Sequence, residues 1–191
     1  MQRESQRMRS FFSGNTFWPH PIENWLANPT TLSQAGFYFN PSPSDPNSDS
    51  CTCYLCGKSM DSWTSNDDPI KEHDSHCPHC PLAILRAKIS TKKTLERARM
   101  ETFGSWWPHE GVRGFSKGSS AMMAKAGFIY APSQDSDDMV KCMDCGLALD
   151  GWEKTDDPKE EHYKRSPDCE ALNGYKPKAA AKVGLFRFLL D

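Results

Sequence analysis

The chain has 191 residues, a quarter of them charged, and a formal net charge of −2 with a pI near 6.3. That balance leaves no broad cationic face for a phosphate backbone, so direct DNA binding is not expected. The first residues, MQRESQRMRSFFSG, hold no apolar signal core, and no apolar run is long enough to span a bilayer, so the expectation is a soluble intracellular protein without a membrane partner.

In chain order, an Arg-x-x-Ser-Phe element at Arg7 to Phe11 precedes Trp18-Pro19. Ala35-Gly36-Phe37-Tyr38-Phe39 follows, rich in aromatic residues, and predicts a first strand. Pro41 to Ser50 is a Pro, Ser and Asp cluster typical of an exposed connection. It leads to the strand presenting Cys53 and Cys56. A second connection ends in Asp67-Asp68-Pro69, which predicts a helix with Asp at its N-cap and Pro in its first position. His73 lies about one turn into that helix, so its imidazole swings toward the thiolates. From Leu82 to Met100 there are helix formers and neither Pro nor Gly, predicting a helical connector centred on residues 83–96.

The order then repeats: Arg99 to Phe103, Trp107-Pro108, Ala126-Gly127-Phe128-Ile129-Tyr130, a polar connection from Pro132 to Asp138, and Asp156-Asp157-Pro158, where Glu160 is placed to complete a capping box with Asp157. Cys-x2-Cys-x16-His-x6-Cys occurs at Cys53, Cys56, His73 and Cys80 and again, 89 residues on, at Cys142, Cys145, His162 and Cys169. Laid on one another without gaps, these stretches share the four ligand types and also Gly57, Asp61, Trp63, Asp67, Asp68, Pro69, Glu72 and Pro78. Such agreement is duplication. Three thiolates and one imidazole make a closed tetrahedral site, so each module is read as holding one structural zinc. Cys51, His76, Cys77 and His79 are excluded as ligands because the second copy has Val140, Arg165, Ser166 and Asp168 in their places.

Modules this small bury little apolar area, and a zinc binding free energy of about 10–16 kcal/mol supplies stability that the core does not. Cys51 and Cys77 are the only cysteines left for a disulfide, which suits a reducing compartment. Residues 173–191 form a tail whose apolar end, Val183 to Leu190, either packs on the module, frays, or serves a partner.

The Arg-x-x-(Ser/Thr)-Phe, Trp-Pro, Ala-Gly-Phe, ligand-spacing and Asp-Asp-Pro motifs, with the tryptophan after the second cysteine, together resemble the baculovirus inhibitor-of-apoptosis repeat, the BIR domain, over residues 5–82 and 97–172. The resemblance implies an α+β fold, with a three-stranded antiparallel sheet, surrounding short helices and one zinc in each module. Two such modules with long Pro/Ser loops look more like fungal survivin-type proteins than animal caspase inhibitors. That likeness implies a chromosomal passenger subunit, in the nucleus at centromere and spindle with some cytoplasmic pool, that reads the free N-terminus of a histone tail phosphorylated on threonine.

An exposed edge after Cys56 can accept an extended peptide as an added strand. Met60 and Trp63 then form an apolar wall for a small first residue, and Asp61 and Asp67 face its α-ammonium, as in the survivin family. Lys58 and His76 match that family's phosphate-contacting pair, and charge-assisted donors suit a phosphothreonine. The plainer roles are also open: Trp63 and Trp152 as core residues, Asp67 and Asp68 as helix-start residues, Lys58 as a solvated surface lysine. The second module keeps Leu149, Asp150, Trp152 and Asp156 for the amine but has Leu147 for Lys58 and Arg165 for His76. Competing readings are an inhibitor-of-apoptosis protein that captures caspase or antagonist N-termini, and a zinc-stabilised scaffold. Closed zinc sites and the lack of a base-and-nucleophile pattern predict a protein that is not an enzyme.

Overall fold

In a computed structural model, residues 1–14, 16–45 and 47–177 are described, so Val183 to Leu190 lies outside them. The first module begins with helix α1 (Glu4–Ser10) and continues through α2 (Pro29–Ala35), strands β1 (Phe37–Phe39), β2 (Cys51–Cys53) and β3 (Ser59–Met60), and helices α3 (Pro69–His76) and α4 (Pro81–Ala87). The second contains α5 (Lys92–Phe103), α6 (Ser120–Lys125), β4 (Phe128–Tyr130), β5 (Val140–Cys142), β6 (Ala148–Leu149), α7 (Pro158–Arg165) and a 3-10 turn over Glu170–Leu172. Each module is α+β with an antiparallel sheet in sequence order, β1-β2-β3 and β4-β5-β6.

Register explains the alternation of the strands. Phe37 pairs with Cys53 and Phe39 with Cys51, and Cys51 in turn pairs with Met60. Phe128 likewise pairs with Cys142, and Val140 with Leu149. One sheet face therefore sends Phe37, Phe39 and Cys51 into a core with Phe11, Trp18, Leu32, Trp63 and Leu82. The other module packs Phe128, Tyr130 and Val140 against Phe103, Trp107, Met123 and Trp152. β3 and β6 are edge strands.

The Arg-x-x-(Ser/Thr)-Phe element has a physical reason. The Ser10 hydroxyl donates to Arg7 O at 2.5 Å and accepts from the Phe39 amide at 2.8 Å, tying the end of α1 to β1. Thr102 does the same with Arg99 O at 2.6 Å and the Tyr130 amide at 2.9 Å. The phenylalanine beside each hydroxyl then stacks on the strand, Phe11 on Phe39 at 5.7 Å and Phe103 on Tyr130 at 5.9 Å. Arg7 is buried, donating to the carbonyls of Ser33, Met1 and Gln2 and lying over the Tyr54 ring at 4.5 Å.

Two sequence expectations change. The connector is not one helix: α4 stops at Ala87, Lys88 turns left-handed at φ 53°, and the Thr91 hydroxyl caps α5 by accepting from the Thr94 amide at 3.2 Å. A threonine able to cap a new start outweighed the absence of Pro and Gly. The expected Asp157–Glu160 capping box is present only by half: Asp157 accepts from the Lys159 and Glu160 amides, at 3.0 and 3.4 Å, while the reciprocal Glu160 bond is not formed. A complete box occurs at Asn28 and Thr31 instead. Cys51 and Cys77, the two cysteines outside the ligand sets, are free thiols, Cys51 with its Sγ directed at Asp49 O.

Candidate functional site

The four ligand groups of each module converge. Cys53, Cys56, His73 and Cys80 bring their donor atoms within 4.8 Å of one another, as do Cys142, Cys145, His162 and Cys169. β2 and the turn after it supply two thiols, α3 the imidazole, and the residue before α4 the last thiol; β5, α7 and the 3-10 turn do the same in module two. Asp68 accepts from the Ile70 amide at 3.0 Å with Pro69 at N1, so the local sequence starts α3 at the phase that turns His73 inward. Cys51, His76, Cys77 and His79 stay outside the cluster.

Zinc–sulfur bonds of about 2.3 Å in a tetrahedron place sulfurs about 3.8 Å apart. The Sγ atoms of Cys142 and Cys169 are 3.7 Å apart. Crowding makes the thiols titrate apart. The hydrogen bond from Cys80 draws Cys53 down to about 3, whereas burial pushes Cys56 up to about 11, and donating to Cys53 pushes Cys80 higher still. In module two burial pushes Cys169 up to about 12. A divalent cation relieves that mutual repulsion, so the donor set fits two structural zinc ions, one per module. His162 Nδ1 lies 2.6 Å from Ala126 O, which fixes the tautomer that leaves Nε2 free for the metal.

Beside each metal cluster lies a groove along the outer edge strand. In module one a cavity of about 330 Å³ is lined by Lys58, Met60, Asp61, Trp63, Asp67 and His76, joined by Ser59, Ser62 and Glu72. All six residues singled out from the sequence thus meet in one place. Trp63 is both core and wall: 4% exposed, it packs edge-on to Phe37 at 5.6 Å while bordering the cavity. Asp67 also has two roles, since its Oδ2 accepts from the Thr64 amide at 2.7 Å while its side chain borders the groove. Asp68, by contrast, caps α3 and does not line the groove. Lys58 is exposed on the edge, and His76 closes the far wall from the last turn of α3, its Nδ1 2.9 Å from Glu72 O and 3.6 Å from Glu72 Oε2.

The second groove, about 260 Å³, is lined by Leu149, Asp150, Trp152, Asp156 and Arg165 with Gly151, Glu153 and Glu161. Its charge is differently committed. Arg165 is held by the Glu161 carboxylate at 2.6 Å and by Glu161 O at 3.0 Å, and Lys164 reaches the same carboxylate at 2.5 Å. Those cations hold the Glu161 carboxyl below the usual carboxylate range. Leu147, standing for Lys58, packs against the core.

Sequence reasoning had passed over Glu72 and Glu161 as site residues, although both belong to the duplicated set. It had also missed His20, Asp49, His109 and Asp138. His20 Nε2 is 2.8 Å from Asp49 Oδ2, and Asp49 accepts from the amides of Ser62 and Trp63, both at 2.8 Å. The signal was available: Trp-Pro-His occurs twice, and an aspartate stands four residues before the first ligand in each copy.

Two small zinc-centred α+β modules, each with an edge strand beside an acidic, tryptophan-walled groove, define the class of protein to which the chain belongs. The model of the BIR domain, the Inhibitor of Apoptosis domain, matches residues 7–84 and 99–173, and the chain belongs to that family. It is 40% identical over 167 residues to the chromosomal passenger complex protein bir1 of Schizosaccharomyces pombe, covering 82% of this chain and 17% of that protein. It is also 34% identical over 151 residues to baculoviral IAP repeat-containing protein 3 of Canis lupus familiaris, covering 75% of this chain and 23% of the relative. The chain therefore spans less than a quarter of the length of these relatives. Among solved structures, a DIAP1 BIR1 domain bound to a Grim peptide is similar at 30% identity and a TM-score of 0.31, over 40% of this chain and 69% of that one. No helix among the described residues is long and apolar enough to cross a membrane.

Proposed function

We propose that the chain is a non-catalytic peptide reader of survivin type. Module one would take the free N-terminus of a histone tail carrying phosphothreonine and so help to place a chromosomal passenger complex on centromeric chromatin in the nucleus. The observation that carries this is the polarity of the first groove: Asp61 and Asp67 lie with Met60 and Trp63, and Lys58 and His76 line the same cavity. An extended ligand docked along β3 has main-chain partners at the strand edge. Its ammonium then meets carboxylates, and a phosphate carrying about −1.5 to −2 charges meets the ammonium and imidazole. The chromosomal passenger relative supports the complex and its nuclear, centromeric setting.

A second reading belongs to module two. Its groove keeps Asp150, Asp156 and Trp152, has Leu147 in place of Lys58, and holds Arg165 in ion pairs with Glu161. That composition suits an unphosphorylated free N-terminus, the kind of ligand an inhibitor-of-apoptosis protein takes from a caspase or an antagonist, and relatives of that name support it. The test is titration of the full chain with an Ala-starting histone-tail peptide, phosphorylated, unphosphorylated and N-acetylated. Tight binding of the free phosphorylated form alone supports the reading. Indifference to both modifications overturns it, and indifference to phosphate with tight binding of caspase-type N-termini moves the chain to the second reading.

A further inference from the structure

We infer that His20 and His109 are positioning residues for the two grooves: through an aspartate, buried in module one and half-buried in module two, each fixes the backbone turn that carries one acidic side chain and the tryptophan wall. The inference rests on the peptide-reading proposal for its functional meaning, though not for its geometry.

The turn needs an external clamp. β3 ends its ladder at Met60, so the amides of Ser62 and Trp63 have no partner within the sheet. Asp49, 8% exposed, supplies one: its Oδ1 accepts from Ser62 and its Oδ2 from Trp63, both at 2.8 Å. His20 Nε2 meets the same Oδ2 at 2.8 Å. In module two Asp138 accepts from Gly151 and Trp152, both at 2.9 Å, and His109 Nε2 lies 3.1 Å from its Oδ2. Burial pushes the Asp138 carboxyl up, but the Gly151 amide, His109, the Trp152 amide and the Ser136 hydroxyl together hold it below the usual carboxylate range.

Each imidazole is itself aimed by two aromatic rings. His20 stacks on Trp25 at 4.4 Å and 15° and meets Trp18 edge-on at 5.1 Å. His109 stacks on Phe115 at 4.1 Å and 2° and meets Trp107 edge-on at 5.2 Å. Trp25 and Phe115 are different residues in loops of different sequence, yet they hold the imidazole at the same aspartate. The chain of contact therefore runs from aromatic face to imidazole, to carboxylate, to two amides, to the groove wall. An imidazole that donates to Asp49 fixes which way that carboxylate faces, and hence how the Asp61–Trp63 backbone is held.

The experiment compares His20→Phe, which keeps a ring between the aromatics but removes the nitrogen, with the unmodified full chain. Amide hydrogen exchange at Trp63 should accelerate by about tenfold or more, while exchange at Trp152 stays unchanged as an internal control. The preference for a free over an N-acetylated phosphopeptide should fall by about tenfold, and the preference for phosphorylated over unphosphorylated peptide should persist. His20→Gln, whose amide can donate to Asp49, should recover most of both losses. His109→Phe repeats the exchange test in the other module, so a folding failure of one variant leaves the other decisive. Unchanged exchange at Trp63, or equal weakening of free and acetylated peptides with only a lower melting temperature, would overturn the inference. If the unmodified chain does not distinguish free from acetylated peptide, the function proposal fails and the exchange result still decides the positioning role.

Discussion

Ser62 and Gly151 hold the same place in the two modules, with φ of 61° and 68°. An L side chain in that region costs about 1–2 kcal/mol, and nothing lies within 4 Å of where a Cβ at Gly151 would stand, so backbone strain is the whole effect there. Gly151→Ser should therefore destabilise module two by about 1 kcal/mol, measured by chemical denaturation, and Ser62→Gly should leave module one equal or slightly more stable. A loss of several kcal/mol for Gly151→Ser would mean that the site is crowded after all. Asp67 permits a cleaner test of the amine contact than truncation, because Asp67→Asn can keep the bond from the Thr64 amide while removing the charge. Free-amine peptide should bind about 10–150-fold more weakly, and N-acetylated peptide should hardly respond. The six groove residues of module one were singled out by their chemistry and by their match to survivin-family positions, and the fold gathers them around one cavity. Asp49 and His20 were passed over: the doubled Trp-Pro-His and the aspartate four residues before the first ligand mark both positions, but only folding sets the two side chains 2.8 Å apart.

At the scale of elements, the Ala-Gly-Phe motif does more than start a strand. Gly36 ends α2 at φ 104° and Gly127 precedes β4 at φ 94°, and a Cβ at Gly127 would lie 2.5 Å from Ala171 Cβ, against 2.7 Å from the movable Leu82 Cδ1 at Gly36. Gly127→Ala should thus cost more than Gly36→Ala, by about 1 kcal/mol or more, in thermal unfolding of the separate transitions. Equal losses would show that Leu82 cannot yield. The strands and the metal-bearing helices α3 and α7 could be read from sequence, because Asp-Pro starts and aromatic runs are local signals. Helices α2 and α6, and the break after Ala87, could not. The seven residues of α2 and six of α6 hold too few apolar positions to show a period, and their ends are set by packing.

For the whole molecule, metal and fold are one equilibrium in each module. Elemental analysis should give two zinc ions per chain, and Cys56→Ser should unfold module one while leaving the module-two transition in place. Retention of both transitions after exhaustive chelation would remove the structural role. The modules are nonetheless tied to one another. Arg3 pairs with Asp137, and the Lys88 ammonium lies 2.7 Å from Asp144, a residue between the metal ligands Cys142 and Cys145. Arg99 reaches the same carboxylate at 3.4 Å.

Lys88 sits where the backbone reverses hand, next to Ile89, which is 92% exposed. While the second metal turn is intact, Asp144 keeps that lysine occupied and the bond after it is a poor fit for an extended protease subsite. Stripping the second ion frees Asp144, and with it the tether. Tryptic cleavage after Lys88 should then quicken, and the fragment pattern would become a chemical gauge of metal loading in one module, written into the cleavage susceptibility of the stretch joining it to the other.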